Sequence, residues 1–158
     1  MSKQLVIKNL SIDYKTDDAL VHAVNGLDLE MEQGECLGLV GETGAGKTTT
    51  AKGIMRLLPE PQGKYVSGDI TFNGIELLKI GNEAMREIRG KVISMIFQDP
   101  MTSLNPVMKV GEQIAEVIRL HDKCSKAESI KRAQQMLEIV GIPGERSEEY
   151  PHQFSGGM

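Results

Sequence analysis

The feature that most constrains this chain is the octapeptide Gly41-Glu42-Thr43-Gly44-Ala45-Gly46-Lys47-Thr48. It fits the pattern G-x-x-x-x-G-K-[ST], which works only as a loop between a strand and a helix. Residues 36–40 (Cys36-Leu37-Gly38-Leu39-Val40) form a short apolar run suited to a buried parallel strand. Residues 48–58 can continue as a helix, with Ala51, Ile54, Met55 and Leu58 at helical spacing. The glycines let successive backbone N–H groups converge on phosphate oxygens, and the helix N-terminus adds its positive dipole end. In such a loop Lys47 is expected to reach the β- and γ-phosphates, and the Thr48 hydroxyl to take a place around Mg²⁺. The alternative is a glycine-rich turn that happens to precede a lysine. The strand–loop–helix setting argues against it, and the residues imply a nucleoside triphosphate as ligand.

Composition narrows the classes that remain. At 158 residues, 40% hydrophobic and 25% charged, the chain has the make-up of one ordinary soluble domain. A net charge of −4 offers no whole-chain attraction to nucleic acid. Cys36 and Cys124 are distant and belong to no C-x-x-C pair, which argues against a disulfide or zinc site and for a reducing compartment. No run has the length of a membrane-spanning helix and no signal peptide opens the chain, so a membrane role is expected to come through a partner.

Residues 4–14 alternate loosely (Leu5, Ile7, Leu10, Ile12), as in a half-exposed strand, and Thr16-Asp17-Asp18 reads as a turn. The apolar pattern resumes over 21–31, and Gln33-Gly34-Glu35 turns the chain into residues 36–40, so a small antiparallel sheet is expected ahead of the nucleotide core. Tyr14 lies in that sheet; stacking on an adenine base and packing as a strand aromatic are both open. After the helix, Pro59 and Gly63 mark a stop, 67–72 read as a strand, Asn73-Gly74 as a turn and 83–89 as a short helix closed by Gly90. Residues 92–97 (Val92-Ile93-Ser94-Met95-Ile96-Phe97) are a second apolar run, expected as a core strand beside the loop strand. Gln98 would then stand at a strand's carboxyl end, where ligands of open α/β sheets collect, or simply cap a turn. Residues 110–120 predict an amphipathic helix, and Ser125-Lys126-Ala127-Glu128 is a capping box opening another, which Gly141 ends. The charges of residues 121–132 suit a solvated helix face. His22, His121 and His152 have no ligand-like spacing, and surface or loop roles are expected of them.

Three motifs in order carry a resemblance: residues 41–48, Phe97-Gln98-Asp99-Pro100, and Phe154-Ser155-Gly156-Gly157. Together they resemble the Walker A loop, the Q-loop and the start of the signature motif of the ATP-binding subunits of ABC transporters. The loop 97–106 and the ending 150–158 are similar to the oligopeptide/dipeptide importer branch, including Phe154 and Met158 where the commonest ABC signature has Leu and Gln. The resemblance covers essentially the whole chain. It implies an α/β fold: a P-loop NTPase core with an N-terminal antiparallel β subdomain and an inserted α-helical subdomain, the C-terminal part of the core missing. The expected division is a β region over 1–35, the P-loop core over 36–98, and the Q-loop, helical subdomain and start of the signature over 99–158.

The same resemblance implies ATP and Mg²⁺ as cofactors, with Tyr14, Gly41, Glu42, Thr43, Gly44, Ala45, Gly46, Lys47, Thr48 and Thr49 on the nucleotide. It implies Thr48 and Gln98 at the metal, Gln98 also beside the attacking water, and Ser155, Gly156 and Gly157 on the γ-phosphate held by a second ATP-binding subunit, in a homo- or heterodimer. Implied partners are transmembrane permease subunits and, indirectly, a solute-binding protein, with no nucleic acid; the implied location is peripheral, on the cytoplasmic face of the cell membrane. The sequence stops at Met158, before the Walker B aspartate, the following glutamate and the switch histidine of this family. The chain by itself is therefore expected to bind nucleotide with little or no hydrolysis. Rival readings are an ABC ATPase acting on DNA or ribosomes, and a different P-loop enzyme such as a kinase. The loop after Gln98 argues against the first and the motif at 154–157 against the second.

Overall fold

The computed structural model describes residues 3–17, 19–99 and 101–158. It divides into two compact units, Met1–Arg86 and Glu87–Met158. Asp18 of the expected turn and Pro100 of the expected Q-loop lie outside the described residues.

The first unit is built on a four-stranded antiparallel sheet. Strands β1 (Lys3–Lys15) and β2 (Leu20–Glu32) form its first hairpin. Thr16 closes the connection, its N–H and hydroxyl both donating to the Ala19 carbonyl at 2.9 and 3.0 Å. Strand β3 (Gly63–Phe72) pairs with the other edge of β1, and the short β4 (Ile75–Glu76) follows a tight turn, giving the order β2-β1-β3-β4. That turn is Asn73-Gly74, both at positive φ (47° and 80°), as a two-residue hairpin requires.

The apolar residues of β1 explain its loose alternation. Leu5 and Ile7 are buried, as are Leu10 and Ile12, while Lys8 and Asn9 between them are both exposed. A register shift falls at this point in both pairings of β1, and Asn9 takes a φ of 45°. One extra residue resets the phase of the strand, so both apolar pairs reach the same core. Ile70 and Phe72 of β3 and Val24 of β2 complete that layer.

Helix α1 (Lys47–Ile54) lies against this layer. A Cβ placed on Gly53 would come 2.8 Å from Ile12 Cδ1, so the glycine lets the helix approach the sheet without displacing that side chain. The Tyr65 hydroxyl on β3 donates to the Gly53 carbonyl at 2.7 Å and ties helix to sheet. The helix is shorter than the apolar spacing over 48–58 predicts. Arg56 turns to a φ of 51°, and its guanidinium donates to the carbonyls of Leu77 and Ile80 and to Asn82 Oδ1. The last turn therefore gives way to contacts with the segment before α2 (Asn82–Ile88).

The two expected core strands are absent as strands. Residues 36–40 and 94–97 have no assigned β pairing, and the segment at 92–97 makes a single parallel bridge, from Ile93 to Arg89. Val40 is 95% exposed and Ile96 94% exposed. A parallel strand exists through its ladder with neighbours. These runs have the composition of such strands, but neither has a ladder partner among the described residues.

In the second unit, helices α3 (Val110–Asp122) and α4 (Lys126–Ile139) pack on one another. Val110, Leu137 and Ile142 form the buried cluster, with Ile114 and Phe154 packed against it. Arg119 Nη1 donates to the buried Ser129 hydroxyl at 2.9 Å and joins the two helices. Ser125 caps α4 by accepting the Glu128 N–H at 3.2 Å. The Glu128 carboxylate, rather than turning back to complete the expected box, receives Arg132 Nε at 3.0 Å. At the other end Ile142 N–H reaches the Leu137 carbonyl and Gly141 N–H that of Glu138, a Schellman closure that carries Ile142 into the cluster beside Leu137. Among the described residues no helix is long and apolar enough to cross a membrane.

Candidate functional site

The loop 41–48 leads directly into α1, as the motif requires, with Gly46 as the N-terminal cap residue. Gly44 and Gly46 have φ of 87° and 79°, a conformation that costs an L-residue about 1–2 kcal/mol. Gly46 is needed twice over. A Cβ there would lie 2.2 Å from the Ala23 carbonyl oxygen and 3.3 Å from Val24 Cγ2, so the loop rests directly on β2. Gly44 has open space around it. The Ala45 N–H donates to the Glu42 carbonyl at 3.1 Å and the Thr50 hydroxyl to the Gly46 carbonyl at 2.9 Å, with Thr50 buried beneath the loop.

Lys47 folds over the loop. Its Nζ donates to the carbonyls of Gly41 and Glu42 at 2.7 and 2.6 Å, which ties the ammonium to the start of the loop. An open cleft of about 470 Å³ runs alongside, lined by Gly44, Ala45, Lys47 and Thr50 and by residues 22–28 of β2. The β2 wall was not legible as part of a site, because it precedes the motif by some twenty positions and carries no motif of its own. His22 stands in that wall, its Nδ1 2.8 Å from Asp13 Oδ1.

The other sequence-predicted residues are distributed as follows. Thr43 and Thr48 are exposed and Thr49 is half-buried. Tyr14, opposite Val21 and Gly63 in the sheet, is half-buried and outside the lining of the cleft. Its ring lies against β3, its Cε1 about 3.0 Å from where a Gly63 Cβ would sit. Gln98 is exposed and belongs to the second unit. There Asp99 opens a 3₁₀ turn over Met101–Ser103, its Oδ1 accepting the Met101 N–H at 3.1 Å.

Ser155, Gly156 and Gly157 form an exposed turn at the end of the second unit, closed by Met158 N–H donating to the Ser155 carbonyl at 3.0 Å. Phe154 anchors it in the helical core. Arg146, absent from the sequence reading, braces it: Nη2 donates to the Gln153 carbonyl at 3.0 Å and the guanidinium lies 4.5 Å from the Phe154 ring centroid. The Glu149 carboxylate holds Arg146 in turn, at 2.7 Å from Nη2. Hydrogen bonding to Arg146, opposed by burial and aided by the charge of Arg146, lowers the Glu149 pKa from the ordinary value of 4.5, and the hydrogen bond to Glu149 raises that of Arg146.

Loop, helix and sheet define a phosphate-binding nucleotide domain of the P-loop class. Residues 24–158 match the family model of the ABC transporter, and the chain belongs to that family. The oligopeptide transport ATP-binding protein OppD of Bacillus subtilis is 48% identical over 160 residues, covering 100% of this chain and 45% of the relative. The dipeptide transport ATP-binding protein DppD of the same organism is 46% identical, covering 100% of this chain and 48% of the relative. The chain thus spans about half the length of the curated relatives it matches. Among solved structures, the dimeric post-hydrolysis form of the ATP-binding cassette MJ0796, bound to ADP and Pi, superposes with a TM-score of 0.78. It is 23% identical, over 97% of this chain and 64% of that one, and establishes the shared fold alone.

Proposed function

We propose that this chain is the ATP-binding part of an energy-coupling subunit of an ABC importer for peptides or similar small solutes. The observation that carries the reading is the loop 41–48, with the Lys47 ammonium held on the carbonyls of Gly41 and Glu42 and with Gly44 and Gly46 at the positive φ from which a phosphate-binding nest is built. The geometry fits a triphosphate. An ammonium and a helix N-terminus converge on an open cleft, and the Thr48 hydroxyl stands exposed at the first turn beside Lys47.

In this reading residues 41–49 cradle the phosphates, Tyr14 stacks on the base, and Thr48 and Gln98 serve Mg²⁺. When bound, the ion would offset charge on the β- and γ-phosphates. Ser155, Gly156 and Gly157 contact the nucleotide of a second ATP-binding subunit. Permease subunits and, through them, a solute-binding protein are the proposed partners, at the cytoplasmic face of the membrane. The division into a β region (1–35), a P-loop core (36–98) and a Q-loop, helical and signature region (99–158) belongs to the same proposal. The names of the relatives, oligopeptide and dipeptide transport ATP-binding proteins, support the cargo class.

Titration of this chain with a fluorescent ATP analogue, paired with a phosphate-release assay, tests the reading. Saturable binding that is lost in Lys47→Ala, with little phosphate release, is the expected result. Binding unaffected by Lys47→Ala refutes the assignment of the loop. Turnover equal to that of a full-length relative, abolished in Lys47→Ala, refutes the view that this chain only binds.

A further inference from the structure

The end of the second unit depends on one side chain that no motif singles out. Arg146 sits in the 3₁₀ turn Gly144–Glu148, itself packed on the start of α3: a Cβ on Gly111 would come 2.6 Å from Ser147 Cβ. From there the guanidinium makes four kinds of contact. Nε and Nη2 donate to Glu149 Oε2 at 3.0 and 2.7 Å. Nη2 also donates to the Gln153 carbonyl at 3.0 Å, and Nη1 to Met158 Sδ at 3.2 Å. Its plane stands over Phe154. One cation therefore touches residues 153, 154 and 158, on both sides of Ser155-Gly156-Gly157.

Those three residues have little else to hold them. They are exposed, and among the described residues nothing beyond the chain neighbours lies within 4 Å of a Cβ placed on Gly156 or Gly157. A turn with two adjacent glycines samples many backbone conformations, and it presents a fixed set of N–H groups only when restrained from outside. A planar guanidinium with five donors can satisfy a carboxylate, a carbonyl and a sulfur while stacking on a ring; an ammonium cannot.

We propose that Arg146 is a positioning residue that fixes the turn at 154–158, so that Ser155, Gly156 and Gly157 are ordered before they meet the triphosphate held by a second ATP-binding subunit. This rests on the trans contact of the proposed function, but the ordering of the turn is measured without it.

The test uses hydrogen exchange on the 158-residue chain and its Arg146→Ala and Arg146→Lys variants, alongside sedimentation with and without ATP. In Arg146→Ala the amides of Phe154 and Met158, which donate to the carbonyls of Pro151 and Ser155, are expected to exchange about tenfold faster, the loss of a charged hydrogen bond, while those of α3 and α4 keep their protection. Arg146→Lys is expected to restore little, and ATP-driven self-association is expected to weaken by about tenfold in both variants. Should Arg146→Ala expose α3 and α4 as well, Arg146→Lys decides the matter by the same criterion. Unchanged exchange at Phe154 and Met158 in the folded variant overturns the proposal. So does a loosened turn with undiminished ATP-driven association. Absence of ATP-driven association in the unaltered chain overturns the reading that the second subunit is another copy of this chain, and the exchange data then decide Arg146 on their own.

Discussion

Gly44 and Gly46 make a matched pair for measuring what the phosphate loop owes to its conformation and what it owes to β2. Both have φ near 80–90°, so alanine at either pays about 1–2 kcal/mol for the left-handed backbone. Alanine also narrows the unfolded ensemble, which returns about 0.4–1 kcal/mol. For Gly44→Ala nothing further enters, since among the described residues no atom beyond the chain neighbours lies within 4 Å of the new Cβ, and the net cost is about 1 kcal/mol. For Gly46→Ala the Cβ meets the Ala23 carbonyl oxygen at 2.2 Å, well inside the roughly 3.3 Å of an ordinary carbon–oxygen contact. The obstacle is backbone in a paired strand, so the loop has to lift off β2, at about 1–3 kcal/mol of overpacking. The total is near 3 kcal/mol. If the lifted loop no longer receives phosphate, the dissociation constant of an ATP analogue rises about 100-fold for Gly46→Ala and less than about tenfold for Gly44→Ala. Fluorescence titration of both variants, with urea unfolding to separate affinity from stability, is the assay. Equal effects in the two, or a Gly46→Ala affinity within about threefold of the unaltered chain, would refute the view that β2 sets the shape of the loop.

Two further outcomes are expected. Ser125→Ala removes the acceptor for the Glu128 N–H at the start of α4 and should cost about 1 kcal/mol in urea unfolding of the helical unit, with no effect on nucleotide affinity. The Glu149 pKa is lowered in the folded chain, so its pairing with Arg146 is fully present above the ordinary value of 4.5 and is lost as pH falls through the depressed folded value. Protection of the Phe154 and Met158 amides, corrected for intrinsic exchange, should therefore hold at neutral pH and decline below about 4.5, and Glu149→Gln should remove that pH dependence.

What the sequence made legible was whatever local chemistry dictates. The loop 41–48 was readable because phosphate cradling demands glycine, lysine and hydroxyl at fixed offsets. The β1–β2 hairpin, the Asn73-Gly74 turn and the helices α3 and α4 followed from short-range pattern. The helix after the loop was overextended because Arg56 leaves it for partners more than twenty residues away, at Leu77, Ile80 and Asn82. The runs 36–40 and 92–97 misled for a different reason. An apolar run reports an affinity for burial, whereas a strand also needs a neighbour to bond with, and pattern cannot say whether one is there. Arg146 was invisible because its role lies in what it reaches, at Gln153, Phe154 and Met158; in sequence it is one charge among several.

The two bonds from Lys47 to the carbonyls of Gly41 and Glu42 bear on selectivity. Any anion that draws the ammonium to itself must outbid two short hydrogen bonds already made within the loop. Binding is thus an exchange of partners, and its net yield depends on how much more strongly the newcomer attracts a cation than a neutral carbonyl does. A singly charged or neutral guest gains little from the trade. A polyphosphate, which presents several charged oxygens to the same ammonium and backbone N–H groups, gains much. On the proposed function, the loop therefore selects by charge density before any contact with a base or a sugar comes into play.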